Sequence, residues 1–335
     1  MNNYPNENFE RGASDPLDAH LLQQINQNLW SDMSEVKAFY DVKPLLAHYT
    51  SISTLEAILK NKEFWFSNPL IMNDLEELRF GINKGRDALM NNPELEAACK
   101  TQNRLALLRH EFDNCLIEYY QDHVLNTYVF CLSEHDKEND DGLLSMWRGY
   151  GANGNGAAIV IDAGKITRQE NTPLILARVC YDSPEKRRKW ISEKITALAK
   201  QILEKNIPDN KLHIAARAFF ERLKLFALFT KHSGFSEEHE WRAVYLPERD
   251  PSKSLGHLID YALGPRGIES KLKFKIAPLA GLIDDDISLY KIIHRIILGP
   301  TISSPLQRAA VARMLDRYAP ELSNRLVVST IPFRA

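Results

Sequence analysis

Two carboxylates one residue apart, Glu238 and Glu240 in Ser236-Glu237-Glu238-His239-Glu240-Trp241-Arg242, are the clearest chemical signal in the chain. If the strand expected at Trp241 has already begun, both fall on one face and Arg242 follows on the same face. Carboxylates that close repel, so one of them needs a raised pKa or a cationic partner, which is the setting for acid–base work. A solvated entry into a strand would carry the same residues. A second group, His48-Tyr49-Thr50, ends an expected strand just before a helix. There His48 and Thr50 share a face and Tyr49 points the opposite way. A third group is Asn73-Asp74-Leu75-Glu76-Glu77, where Asp74 suits a helix N-cap and the glutamates suit its positive end. Asp74, Glu77, Glu238 and Glu240 together also offer hard oxygen ligands for Mg²⁺ or Mn²⁺, without a compact metal motif.

Other stretches read more simply. Gly149-Tyr-Gly-Ala-Asn-Gly-Asn-Gly156 has a helix before it and a strand after it. A dinucleotide fingerprint needs the reverse order, so this is a helix end followed by a tight turn. Lys186-Arg187-Arg188-Lys189 reads as a solvated helix face, with phosphate contact as the alternative. Cys99, Cys115, Cys131 and Cys180 form no C-x-x-C pair and read as small buried hydrophobes.

The elements that must position these groups follow from periodicity. Expected strands are Leu45–Tyr49, Phe64–Ser67, Thr127–Ser133, Ala157–Asp162, Leu174–Tyr181, Trp241–Leu246, Ile292–Leu298 and Leu326–Thr330. A capping box, Ser53-Thr-Leu-Glu56, opens a helix between the first two. Helical patterns fill about 74–122 and 184–231. Strands arriving singly between helical insertions, without regular β-α-β alternation, give an α+β fold with a mixed or antiparallel sheet. The expected organisation is a peripheral helical segment, 1–43, and a single domain, 44–335, carrying both insertions.

Composition sets outer limits. The 335 residues hold 42 Lys and Arg against 44 Asp and Glu, a net charge of −2, with 44% hydrophobic residues. That is ordinary globular composition, and near-neutrality removes a general electrostatic case for nucleic-acid binding. No apolar run approaches the roughly 18 residues of a membrane span, and no secretory h-region is visible, so a cytoplasmic location without membrane partners is expected.

In order, HYTS, SNPLIMNDLEE, VFCLSE, LSMWRGY, GAAIVID, RVCY, KHSGFSEEHEWRAVY and IHRIILGP resemble the bacterial family known as domain of unknown function 2971, from Leu45 to Pro300. More loosely, a His-x-Thr strand followed by a helix, a strand and a late Glu-x-Glu resembles ADP-ribosyltransferase-fold enzymes. That resemblance implies an ADP-ribosyltransferase-like sheet and NAD as substrate. Glu240 would stabilise an oxocarbenium-like transition state and Glu238 would orient or deprotonate the acceptor. His48, Tyr49 and Thr50 would bind the ribose and nicotinamide. Tyr150, Trp147 or Tyr128 would stack on the ring, and Arg242 would contact a pyrophosphate or pair with Glu240. It further implies a toxin or phage-defence role, with protein, nucleic acid or water as acceptor. Two departures stand out: Tyr49 replaces a glycine, and the second strand lacks Ser-Thr-Ser, reading Phe64-Trp-Phe-Ser-Asn68. The rival readings are a metal-dependent hydrolase or nuclease and a non-catalytic sensor or binding module.

Overall fold

Alternating apolar residues build one large sheet, and helical periodicity builds the layers that cover it. The computed structural model describes residues 16–33, 39–72, 75–167, 172–264, 267–276, 287–302 and 304–333. Its helices are α1 (Pro16–Leu29), α2 (Phe39–Val42), α3 (Ile52–Asn61), α4 (Leu75–Met90), α5 (Pro93–Cys99), α6 (Gln102–Gln121), α7 (Leu144–Gly149), α8 (Pro184–Glu204), α9 (Leu212–Phe229), α10 (Leu289–Ile292) and α11 (Pro305–Tyr318). Its strands are β1 (Leu45–Ser51), β2 (Glu63–Ser67), β3 (Tyr128–His135), β4 (Gly156–Asp162), β5 (Leu174–Arg178), β6 (Cys180–Asp182), β7 (Thr230–His232), β8 (Glu240–Tyr245), β9 (Ile259–Gly264), β10 (Gly267–Lys275), β11 (Ile293–Leu298) and β12 (Leu326–Val328).

The sheet runs β12-β11-β4-β1-β3-β2-β10-β9, with β8 also on β3 and β5 on β8; β6 and β7 pair separately. Apart from the parallel β11–β12 pair, its ladders are antiparallel. The fold is therefore mixed helix and sheet, as expected. Several details differ. The expected strand 174–181 is two strands, and the hairpin β9–β10 occupies a stretch where no strand was expected. The cap of α3 is Ser51, whose Oγ accepts from Thr54 N at 3.1 Å, so the helix starts two residues before the capping box read from sequence.

Side chains alternate across the sheet into two large cores, with a smaller cluster of Tyr49, Met146, Trp147 and Val160 beside them. Val129 and Val244 face the helices α1, α4, α5, α6, α8 and α9. Tyr128, Phe130, Leu132, Trp241 and Ala243 face α3, α10 and α11. The two helical insertions thus share one layer. The segment expected at the periphery belongs to that layer too: Ile25 and Leu29 of α1 are fully buried in it. Asp32 then anchors the segment, accepting from Trp190 Nε1 at 2.9 Å, Lys194 Nζ at 2.7 Å and Arg222 Nη2 at 2.8 Å.

The sheet forks at β3. One edge of β3 pairs with β8 from Tyr128 to Ser133. The other edge is divided: β1 takes Ser133–His135 through Leu45–Ala47, and β2 takes only Val129 through Ser67. Between them Phe130, Cys131 and Leu132 pair with neither strand. Asn68 holds the β2 side of the fork by donating from Nδ2 to Val124, Leu125 and Thr127 carbonyls.

Candidate active site in the sheet fork

A cavity of about 270 Å³ fills the fork, lined among others by His48 and Tyr49 of β1, Trp65 and Ser67 of β2, and Phe130 and Cys131 of β3. Tyr150, Glu238, Glu240 and Lys271 complete its polar lining. The apolar walls with a few convergent polar groups match what ligand sites need.

His48 sits where β1 leaves β3. Its Nδ1 donates to the Cys131 carbonyl at 3.0 Å, because a carbonyl can only accept. That assignment leaves Nε2 as an acceptor. The ring lies on Phe130, centroids 4.4 Å apart. Burial holds the imidazole down to about 4, only partly offset by the Cys131 bond, so it is neutral at physiological pH. His135, also pushed down to about 4 by burial and by Arg295, behaves alike. Both histidines protonate near 6.5 when unfolded. A depressed folded pKa gives stability that is present above pH 6.5 and lost as pH falls through 4. We expect the unfolding free energy from urea titrations to drop across that window by up to roughly 3 kcal/mol per histidine. In His48→Asn, whose amide can replace Nδ1–H, the drop should shrink by one histidine's share; an unchanged pH slope would count against a neutral buried His48.

The carboxylates enter from β8 and the turn before it. Ser233–Glu238 forms a 3-10 turn, and His239 at φ 41 reverses the chain into β8. Glu240 accepts from Arg242 Nε at 2.8 Å and Nη2 at 3.0 Å, and Arg242 Nη1 donates to the Leu228 carbonyl. Lys231 Nζ of β7 lies 2.5 Å from Glu238 and 3.4 Å from Glu240. Tyr150 donates its hydroxyl to Glu238 at 3.0 Å. The two groups are driven apart electrically. Burial raises Glu238 above the usual carboxylate range against the pull of Lys231. Burial would raise Glu240 too, but Arg242 and Lys231 outweigh it and hold Glu240 down to about 2.

Of the site residues named from sequence, His48, Tyr49, Tyr150, Glu238 and Glu240 line this cavity. Thr50 does not; it is buried outside it. Arg242 does not line it either; it pairs with Glu240, one of the two alternatives read from sequence. The Tyr49 side chain is spent on the fold: its hydroxyl accepts from Leu143 N at 2.8 Å and its ring packs on Trp147. Of the three stacking aromatics, Trp147 and Tyr128 are buried in the cores and Tyr150 reaches the cavity. Asp74 and the Glu77 side chain lie outside the described residues. Among the described residues no group of three or more His, Cys, Asp or Glu side chains is placed to hold a metal ion.

Other expectations were also sorted by burial. The glycine-rich stretch is a helix end and turn, with positive φ at Ala152, Asn153 and Gly154. Arg187 of the basic run is buried beneath the Phe80 ring, 4.0 Å away, whereas its neighbours pair on the surface. Cys180 is exposed and Cys131 lines the cavity, so only Cys99 and Cys115 are buried hydrophobes. Sequence reading missed Lys231, Trp65 and Lys271. Lys231 carried a signal, a cation two residues past the apolar end of α9, Leu225–Phe229.

Residues 146–243 match the family described as Protein of unknown function (DUF2971), and the resemblance read from sequence holds there. That segment carries Tyr150, Lys231, Glu238, Glu240 and Arg242, while β1 and β2 precede it. No curated protein and no solved structure matches the chain. No helix among the described residues is long and apolar enough to cross a membrane.

Proposed function

We propose that the fork cavity binds NAD and cleaves its nicotinamide–ribose bond, in the manner of ADP-ribosyltransferase-fold enzymes. The observation that carries this reading is the pairing of Glu238 and Glu240 at one cavity wall in opposed electrostatic settings. Two carboxyls pushed apart in this way suit two different roles. Glu240, ionised throughout the working pH range, faces positive charge developing on the ribose. Both its oxygens accept from Arg242, with Lys231 and the Cys131 thiol beside them, so Glu240 acts on the ribose through its charge rather than through a spare lone pair. Glu238, with its raised pKa and hydroxyl partner, takes the proton of the acceptor. The bonding pair leaves with the nicotinamide nitrogen, and the acceptor oxygen or nitrogen bonds to the ribose carbon as Glu238 accepts its proton. His48 Nε2 suits a ribose hydroxyl donor, and Trp65 and Tyr150 offer faces for the pyridine ring.

Cavity size agrees with part of such a ligand. At about 270 Å³ it lies just below the roughly 300–1,000 Å³ of drug-sized sites. That suits the nicotinamide riboside portion, with the rest of the dinucleotide outside. Calorimetric titration with NAD in EDTA should give saturable binding, and wild type should release nicotinamide on incubation. No heat at millimolar NAD would overturn the reading. A nuclease assay dependent on Mg²⁺ or Mn²⁺ would then take its place.

A further inference from the structure

We propose that Lys231 is the positioning residue of this site, a buried ammonium that lets Glu238 and Glu240 stand ionised side by side at the cavity wall. Its bearing on turnover rests on the NAD reading above; its bearing on the carboxylates does not. The geometry is specific. The Lys231 side chain is 2% exposed, and its Nζ contacts Glu238 Oε2 at 2.5 Å and Glu240 Oε2 at 3.4 Å. The same cation therefore touches one oxygen of each carboxylate. Arg242 cannot replace it, because its Nε and Nη2 are on Glu240 and its Nη1 is on the Leu228 carbonyl.

Lys231 is held in place from several sides. Its strand β7 pairs in parallel with β6, Tyr181 opposite Lys231. The Tyr181 hydroxyl accepts from Glu240 N at 2.8 Å, tying β6 to the start of β8. The ring of Phe235, in the turn leading to Glu238, lies 4.9 Å from Nζ. The groups facing the pair are thus Lys231 and Tyr181 from the small sheet, Arg242 from β8 and Tyr150 after α7. The Cys131 thiol, which bonds Glu240, faces it from β3, and His48 and Lys271 line the same cavity. Lys231 bridges the two carboxylates.

An ammonium at such distances favours the charged carboxylate by roughly 1–3 pKa units. Without it, two carboxylates and one guanidinium remain, and the pair should keep a proton that wild type sheds. In Lys231→Met, which preserves length without charge, carboxyl ¹³C titration of Glu238 should move up by one pH unit or more. The acidic limb of nicotinamide release should move with it. A Glu238 titration within about 0.3 units of wild type would overturn the proposal, since a purely structural lysine would not move it. If Lys231→Met does not fold at the assay temperature, the double variant Lys231→Met/Glu238→Gln decides by melting. Recovery of Tm above the single variant is expected, and additive losses would overturn the proposal. A shifted titration in a protein that releases no nicotinamide would keep the role of Lys231 and remove the NAD reading. An unshifted titration in an active enzyme would do the reverse.

Discussion

Glu240→Gln should release nicotinamide at least about a hundredfold more slowly than wild type while binding NAD within a few-fold of it. A fixed carboxylate facing developing positive charge is worth that much when its charge is removed, by analogy with preorganised donors at developing negative charge. The ground state meets less charge at the ribose carbon, so binding should change little. The substitution also has a structural cost that separates it from a surface change. Glu240 is 4% exposed and doubly bonded to Arg242. A glutamine oxygen can still accept from one guanidinium nitrogen, but its amide group meets the other donor to donor. The buried guanidinium loses its counter-charge, at a cost of roughly 3–5 kcal/mol. A domain of ordinary stability survives that loss with a lowered Tm.

The same residue provides an internal check. Glu240 titrates near 2 when folded and near 4.3 when unfolded. Its folded pKa is depressed, so its stabilisation is present above pH 4.3 and is lost as pH falls through 2. Wild type should lose about 3 kcal/mol over that window on account of Glu240, and Glu240→Gln should lack that component. Chromatographic nicotinamide release, NAD calorimetry and acid unfolding together test the claim. Turnover within tenfold of wild type would remove Glu240 from the chemistry.

Gly156→Ala should cost about 3 kcal/mol or more and loosen the site with it. A Cβ on Gly156 would lie 2.2 Å from the Thr50 carbonyl oxygen and 2.7 Å from that of Gly151. Both are backbone atoms, so no side chain can rotate away. The methyl group would wedge the end of β1 from the start of β4, where Ser51 pairs with Gly156. It would also push on the turn that follows Tyr150, whose hydroxyl holds Glu238. Thermal unfolding and NAD affinity should fall together. A Tm within about 2 °C of wild type would show that the backbone opens there at little cost.

Much of this arrangement was legible before any coordinates, for local reasons. The strands β1, β3, β4 and β8 are short runs of β-formers and apolar residues bounded by turn residues, and α5 starts at Pro93, a residue suited to the first helical position. The hairpin β9–β10 was missed, although Leu272 and Phe274 alternate with Lys271, Lys273 and Lys275; the charge content hid the period of two. The placement of α1 was misjudged because a modest amphipathic helix does not reveal whether it has a partner. In the fold Ile25 and Leu29 find one in α8 and α9.

What the sequence determined by itself was residue type and spacing: Glu238 and Glu240 one residue apart, His48 at a strand end, Tyr150 after a helix. What only the tertiary structure decided was charge. Glu240 is held ionised by Arg242, two residues away, but also by Lys231, which comes from a separate two-stranded sheet. The cavity itself exists because β1 and β2 each hold only part of one edge of β3, leaving Cys131 for His48. A spacing is written in one dimension and survives any fold. The dielectric, the counter-charge and the open edge depend on which distant segments pack together, and no local pattern encodes those.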